Sequence, residues 1–229
     1  MASAVFFLEE DLEKKREQID SVLSLLEELE GNDVFLSEKN DLVRPTSTLI
    51  NTLKSSIYLM LYNAIEATMR ECIVIIHDEL DSRLASFDDL RYELKKEIFK
   101  RIRKEHKAVE AVICSDRIPI AESIHKTTFE KTKLFSGNID RLEIEKVAGI
   151  YGFETDSDYR KTMHGKTLKD IKKKRNDLAH GNIDFGNAAK LETVGDLKEK
   201  AEKTINYLES IVGNIESYID DESYFQSTA

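Results

Sequence analysis

The sequence predicts an all-α fold, and three observations carry that prediction. Over most of the chain, apolar residues recur at threes and fours, the spacing of a helix, with little alternation. Helix breakers are scarce, with 9 Gly and 2 Pro in 229 residues. Hydrophobic residues make up 41% and charged residues 34%, a balance that suits amphipathic helices around a core and excludes a disordered or fibrous chain.

The first predicted helix spans Ala4 to Glu30. Leu12, Ile19, Val22, Leu23, Leu26 and Leu29 share one face, and Gly31-Asn32 supplies the stop. Its other face is mostly Glu, Lys and Arg; because that face is not uniformly basic, it reads as solvated rather than membrane-bound. After a loop, Pro45 suits the first turn of the next helix. From there Leu49, Ile50, Leu53, Ile57, Leu61, Ile65, Thr68, Cys72, Ile75 and Leu80 mark the central core helix. Asn63, Glu66 and Arg70 interrupt it. Either Glu66 and Arg70 form an ordinary i, i+4 surface pair, or Asn63 and Glu66 line a cleft facing a basic helix later in the chain.

A third helix is expected from Ser86, with Asp89 in capping-box position, through Leu90, Leu94, Ile98, Ile102 and Val109. Residues 113–133, which contain Pro119, read as a loop or short irregular helices. Asn138 is placed as the N-cap of a helix ending near Ile150-Tyr151-Gly152, and 153–165 as a connection. The next helix starts at Thr167 with Asp170 as its capping partner; Leu168, Ile171 and Leu178 form its buried stripe, and Gly181 terminates it. After a loop over 182–195, the last helix begins near Thr193–Asp196 and buries Leu197, Ala201, Ile205, Leu208, Val212, Ile215 and Ile219. The residues after Asp220 are expected to fray. No repeat or linker marks a sharp boundary. The division expected is an N-terminal helical extension, 1–44, packed on a helical domain, 45–220, with a tail, 221–229.

A formal net charge of -10 argues against a generic nucleic-acid coat, but the positive charge is concentrated. Residues 91–107 carry eight Lys/Arg against three Glu, and residues 160–175 carry eight against one Asp, so the rest of the chain is strongly acidic. Cys72 and Cys114 lie far apart with no C-x-x-C pairing, so nothing suggests a disulfide framework or a zinc site. Val5-Phe6-Phe7-Leu8 is followed at once by acidic residues, unlike a signal peptide, and Ile57–Leu61 is too short to span a bilayer. A cytoplasmic location without membrane contact is expected.

The chemistry is concentrated in Lys172-Lys-Lys-Arg175-Asn176-Asp177-Leu-Ala-His180-Gly181, at the end of a basic amphipathic helix. Arg175 can hold two phosphate oxygens, and His180, at the negative end of the helix dipole, can transfer protons near neutral pH. Five residues on a regular helix span about 140°, so the last turn would have to tighten or unwind to bring the two together. Lys172, Lys173 and Lys174 read as a solvated charge run or as an RNA phosphate track. Arg101 and His106 repeat the spacing inside a continuing helical pattern without a terminating Gly, and read as a solvated basic face. His77-Asp78-Glu79 offers ligand types whose side chains diverge on a helix, so no metal or other cofactor is expected. His164, just before the motif helix, could reach a phosphate but reads better as an ordinary loop histidine.

Arg175-Asn176-Asp177-Leu178-Ala179-His180 resembles the R-x4–6-H motif of HEPN domains, with the polar residue that many members place directly after the Arg. Tyr58-Leu-Met-Leu-Tyr-Asn63-Ala-Ile-Glu66 and Gly137-Asn-Ile-Asp140 extend the similarity to the MAE-type branch over about residues 45–220. The resemblance implies an up-and-down helical bundle that dimerises, so that two motifs form a composite, metal-independent ribonuclease site acting by attack of the ribose 2′-OH. It implies proton transfer by His180, charge stabilisation by Arg175 and positioning by Asn176. It also implies a toxin or phage-defence role, with an antitoxin or defence-system protein as partner. HEPN toxins paired with a nucleotidyltransferase antitoxin commonly carry Tyr two residues after the His; Asn182 stands there, so control by tyrosine adenylylation at this position is not implied. A non-catalytic RNA- or protein-binding scaffold, or the regulatory half of a toxin pair, are the alternative readings.

Overall fold

The computed structural model describes residues 4–31, 36–38, 41–83, 85–104, 135 and 137–226. Its frame is three long helices: α1 (Ala4–Glu30), α2 (Ser47–Ser82) and α8 (Val194–Asp220). Helix α1 runs antiparallel to the other two. Its C-terminal end pairs Glu30 with Lys54 and Glu27 with Lys198 (2.6 Å), while Arg16 pairs with Glu209 (2.5 Å) further along. Leu8, Leu12, Ile19, Leu23 and Leu26 from α1 join Ile57, Leu61, Ile65, Cys72 and Ile76 from α2 and Leu197, Ile205, Leu208 and Ile215 from α8 in one core. The fold is all-α, as the periodicity predicts.

Between α1 and α2 a small antiparallel hairpin, β1 (Leu36–Glu38) and β2 (Asp41–Val43), sets Ser37 opposite Leu42. Pro45 stands just outside α2 rather than in its first turn, because Thr46 is the cap: its Oγ1 accepts the Leu49 N–H at 3.2 Å. Ser86 caps only a 3-10 turn, Phe87–Asp89, and α3 (Tyr92–Lys104) starts later than the sequence reading places it. His106, the 113–133 stretch and Cys114 lie outside the described residues.

The cap of α4 (Arg141–Tyr151) is Asp140, not Asn138; Asp140 Oδ1 accepts the Glu143 N–H at 3.1 Å. Two one-turn helices sit inside expected loops, α5 (Tyr159–Thr162) and α7 (Phe185–Ala188). Helix α6 (Thr167–Ala179) has no capping box, because its N-cap is Lys166, which offers no acceptor side chain, and Thr167 is already inside the helix; Asp170 pairs with Lys200 of α8 at 2.9 Å. In α8 the box is complete, with Thr193 and Asp196 bonding reciprocally. The end of the chain is pinned as far as residue 226. Tyr224 is fully buried, Phe225 bridges to Leu90, and the Arg91 N–H donates to the Tyr224 carbonyl at 3.0 Å.

Gly165, at the turn into α6, has φ +69, and an added Cβ would stand 2.9 Å from the buried Tyr207 ring. Gly165→Ala combines backbone strain with overpacking and is expected to destabilise by about 2 kcal/mol. A urea melt checks this; a midpoint equal to wild type would mean that the Tyr207 ring yields without cost.

Candidate functional site

Helix α6 presents the motif, and its end fixes where His180 sits. The His180 N–H still bonds to the Asn176 carbonyl at 3.0 Å, so the helix stays regular up to the cap. Gly181, at φ +70, then reverses the chain: its N–H bonds to the Leu178 carbonyl (3.2 Å) and the Asn182 N–H to that of Asp177 (2.8 Å). These two bonds form a Schellman motif, with the glycine where the left-handed conformation is required. The imidazole is thereby exposed at the helix end.

Arg175 points the other way, into a clamp. Its guanidinium lies over the Tyr62 ring, 3.7 Å from the centroid. One terminal nitrogen donates to the Gly137 carbonyl at 2.8 Å and reaches Glu66 at 3.4 Å; the other donates to Asn176 Oδ1 at 2.8 Å. Asn176 Nδ2 continues the chain of bonds to Asn138 Oδ1 at 2.9 Å. Because the last turn neither tightens nor unwinds, the Arg175 and His180 side chains keep their divergence of about 140°, and no hydrogen bond joins them.

The Gly137–Asp140 segment is held at each of its residues. Besides the Gly137 and Asn138 bonds, the Ile139 N–H donates to the Tyr62 hydroxyl at 3.1 Å, and Asp140 pairs with Lys172 while capping α4. Gly137 has φ +75, and an added Cβ would stand 3.4 Å from the Arg175 guanidinium, so the clamp closes against bare backbone.

A family model described as MAE_28990-like HEPN matches residues 7–224. The chain belongs to that HEPN family. No curated protein and no solved structure matches it.

Within this HEPN domain the three motif lysines face different ways. Lys172 pairs with Asp140. Lys174 donates to the Ala188 carbonyl, stands 3.7 Å from Glu192 and lies against the Tyr58 ring. Lys173 alone of the three is exposed and without a carboxylate partner. The predicted run is therefore not one continuous track.

Glu66 reconciles the two readings of α2. One carboxylate oxygen pairs with Arg70 at 2.7 Å and the other faces Arg175, whereas Asn63 is simply exposed. Sequence reasoning missed Tyr62 and the Gly137 carbonyl as parts of the site, and read Asn138 as a helix cap. Their signal was present only as the two segments that carry the family resemblance.

A second polar network backs α6. Tyr58 donates to Glu192, and Lys200 reaches both Tyr58 and Glu192 at 2.7 Å. Burial, then the Glu192 hydrogen bond, pushes the Tyr58 phenol well above its ordinary range, so it stays a neutral donor. His77 is buried against the Tyr151 hydroxyl at 2.9 Å. His164 is exposed and lies within 3.3 Å of Ser157 Oγ. Burial pushes the Cys72 thiol up to about 12, which leaves it an inert core side chain. Among the described residues, no group of three or more His, Cys, Asp or Glu side chains is placed to hold a metal ion, and no helix is long and apolar enough to cross a membrane.

Asp140 links the clamp to pH. Burial pushes its carboxyl up, but the Lys172 hydrogen bond and the α4 backbone amides outweigh that and hold it below the usual carboxylate range. The folded state thus favours the charged form. Asp140 contributes stability above its unfolded pKa of about 3.9, and that contribution is lost as pH falls through the lowered folded value. Asp140→Asn keeps a capping side chain and removes the ion pair, so it is expected to cost about 1 kcal/mol at pH 7. The gap to wild type should narrow below about pH 4. Urea melts at pH 7 and pH 3 compare the two, and a gap that persists undiminished at pH 3 would rule out the charged pair as its source.

Proposed function

We propose that this HEPN domain is a metal-independent endoribonuclease whose site is completed by a second copy of the chain. The carrying observation is the exposed His180 imidazole at a helix terminus closed by backbone hydrogen bonds, on the same helix as a guanidinium whose orientation is fixed by four partners. Because His180 and Arg175 of one chain diverge, a phosphate gripped by both requires two motifs facing each other. In that arrangement His180 moves the proton between the ribose 2′-OH and the leaving 5′-oxygen. Arg175 stabilises charge building on the phosphorane, and Asn176 holds Arg175 through its Oδ1. Attack by the 2′-OH leaves a 2′,3′-cyclic phosphate and a 5′-hydroxyl. Such an activity fits a toxin or defence effector, restrained by an antitoxin or defence-system partner.

A specific observation favours a second reading. The donors Arg175 uses internally, and the pairing of Lys172 and Lys174, are what a non-catalytic scaffold would also show. The deciding experiment incubates end-labelled transfer RNA and mixed cellular RNA with purified protein in EDTA and identifies the product ends. Cyclic phosphate ends support the nuclease; intact RNA at micromolar protein moves the assignment to the scaffold.

A further inference from the structure

At about 100° per residue, Lys166, Lys169, Lys173, Asn176 and His180 fall within about 80° of one another around α6. The buried stripe of Leu168, Ile171 and Leu178 lies on the opposite side. Lys166, Lys169, Lys173 and His180 are all exposed, and the stripe runs about 21 Å along the helix, from its first turn to its cap. Where it begins, Tyr159 is half exposed, with Lys166 Nζ 5.5 Å from its ring centroid and the His164 ring 5.3 Å away. Arg160 and Lys161 are exposed beside it.

None of Lys166, Lys169, Lys173, Arg160 and Lys161 has a carboxylate partner among the described residues. Lys15, Arg16, Lys54, Arg83, Arg141 and Lys146 each sit on one, and other cations without one, among them Lys14 on α1 and Lys96 on α3, stand on other elements. In a chain of net charge -10, three such cations along one face of α6, with Arg160, Lys161 and the exposed Tyr159 ring of α5 where that face begins, form a surface complementary to a flexible polyanion that also has flat faces.

The geometry points to a single-stranded RNA track along α6, with phosphates on Lys166, Lys169 and Lys173, a base stacked on Tyr159, and the strand delivered to His180. This rests on the ribonuclease reading only for what happens at the His180 end; the track itself is a binding surface. Stacking on Tyr159 requires an unpaired base, so the surface selects single strands over duplexes.

The test measures binding of a fluorescent single-stranded oligonucleotide, a duplex RNA, and phosphatidylserine–phosphatidylcholine vesicles over a salt series in EDTA. The combined variant Lys166→Gln, Lys169→Gln, Lys173→Gln is expected to flatten the log-affinity against log-salt slope by about 2, from three single-strand contacts at roughly 0.7 each. Lys146→Gln, on α4 and paired with Glu143, should leave that slope unchanged. Tyr159→Leu should weaken single-strand binding roughly tenfold and duplex binding far less. Circular dichroism confirms that each variant is folded. An unchanged slope in the triple variant overturns the track, as does vesicle binding without RNA binding, which would assign the stripe to a lipid surface. RNA binding with the predicted slopes but no cleavage would sustain the track and remove the nuclease.

Discussion

His180→Ala is expected to lower RNA cleavage by two to four orders of magnitude, the usual worth of a positioned proton-transfer group, while shifting stability by less than about 0.5 kcal/mol. The asymmetry follows from where the side chain sits. The Schellman bonds that end α6 are made by backbone groups of Asp177, Leu178, Gly181 and Asn182, and the imidazole is exposed. Removing it leaves the turn intact. Thermal melts and cleavage of labelled RNA, run on the same preparation, check both halves. Cleavage at the wild-type rate would remove His180 from the chemistry.

Arg175→Ala is expected to behave differently, costing roughly 3 kcal/mol of stability as well as activity, because it breaks a partly buried, charge-assisted network at one stroke. The Gly137 carbonyl loses its donor, Glu66 loses one of its two cations, and the Tyr62 ring loses its cover. Arg175→Lys restores the charge but neither the planar fork nor the stack, so it should recover only part of that loss. Loss of cleavage in an Arg175 variant therefore does not by itself make the guanidinium catalytic. The informative comparison is activity at a temperature where the variant is fully folded. An Arg175→Ala midpoint within error of wild type would show that the clamp contributes little.

The long helices were legible because their apolar stripes are long: α1 spans Ala4–Glu30 as the periodicity indicates, and α8 starts at its Thr193–Asp196 box. Gly181 as the terminator of α6 was legible for the same local reason, a glycine after the last periodic residue. The caps were less so. Asn138 and Asp140 are both good cap formers two residues apart, and the choice between them is made by Lys172, far along the chain. Thr167 and Asp170 have the right spacing for a box, yet the helix starts one residue earlier, with Lys166 as its cap, and Asp170 pairs with Lys200.

The orientation of Arg175 follows from the wheel of α6, since it lies between Leu168 and Ile171 in angle and so turns toward the core; its clamp partners on α2 and the 137–140 loop do not. The same wheel separates Lys173 from its neighbours, which a run of three identical residues conceals.

The pinned Gly137–Asp140 segment bears on how the domain breathes. A loop amide open to water exchanges its proton for deuterium almost at once, whereas the Ile139 amide is bonded to the Tyr62 hydroxyl and its side chain is fully buried. Its exchange is expected to need the parting of the loop from α2, so this irregular backbone should keep the slow clock of the core.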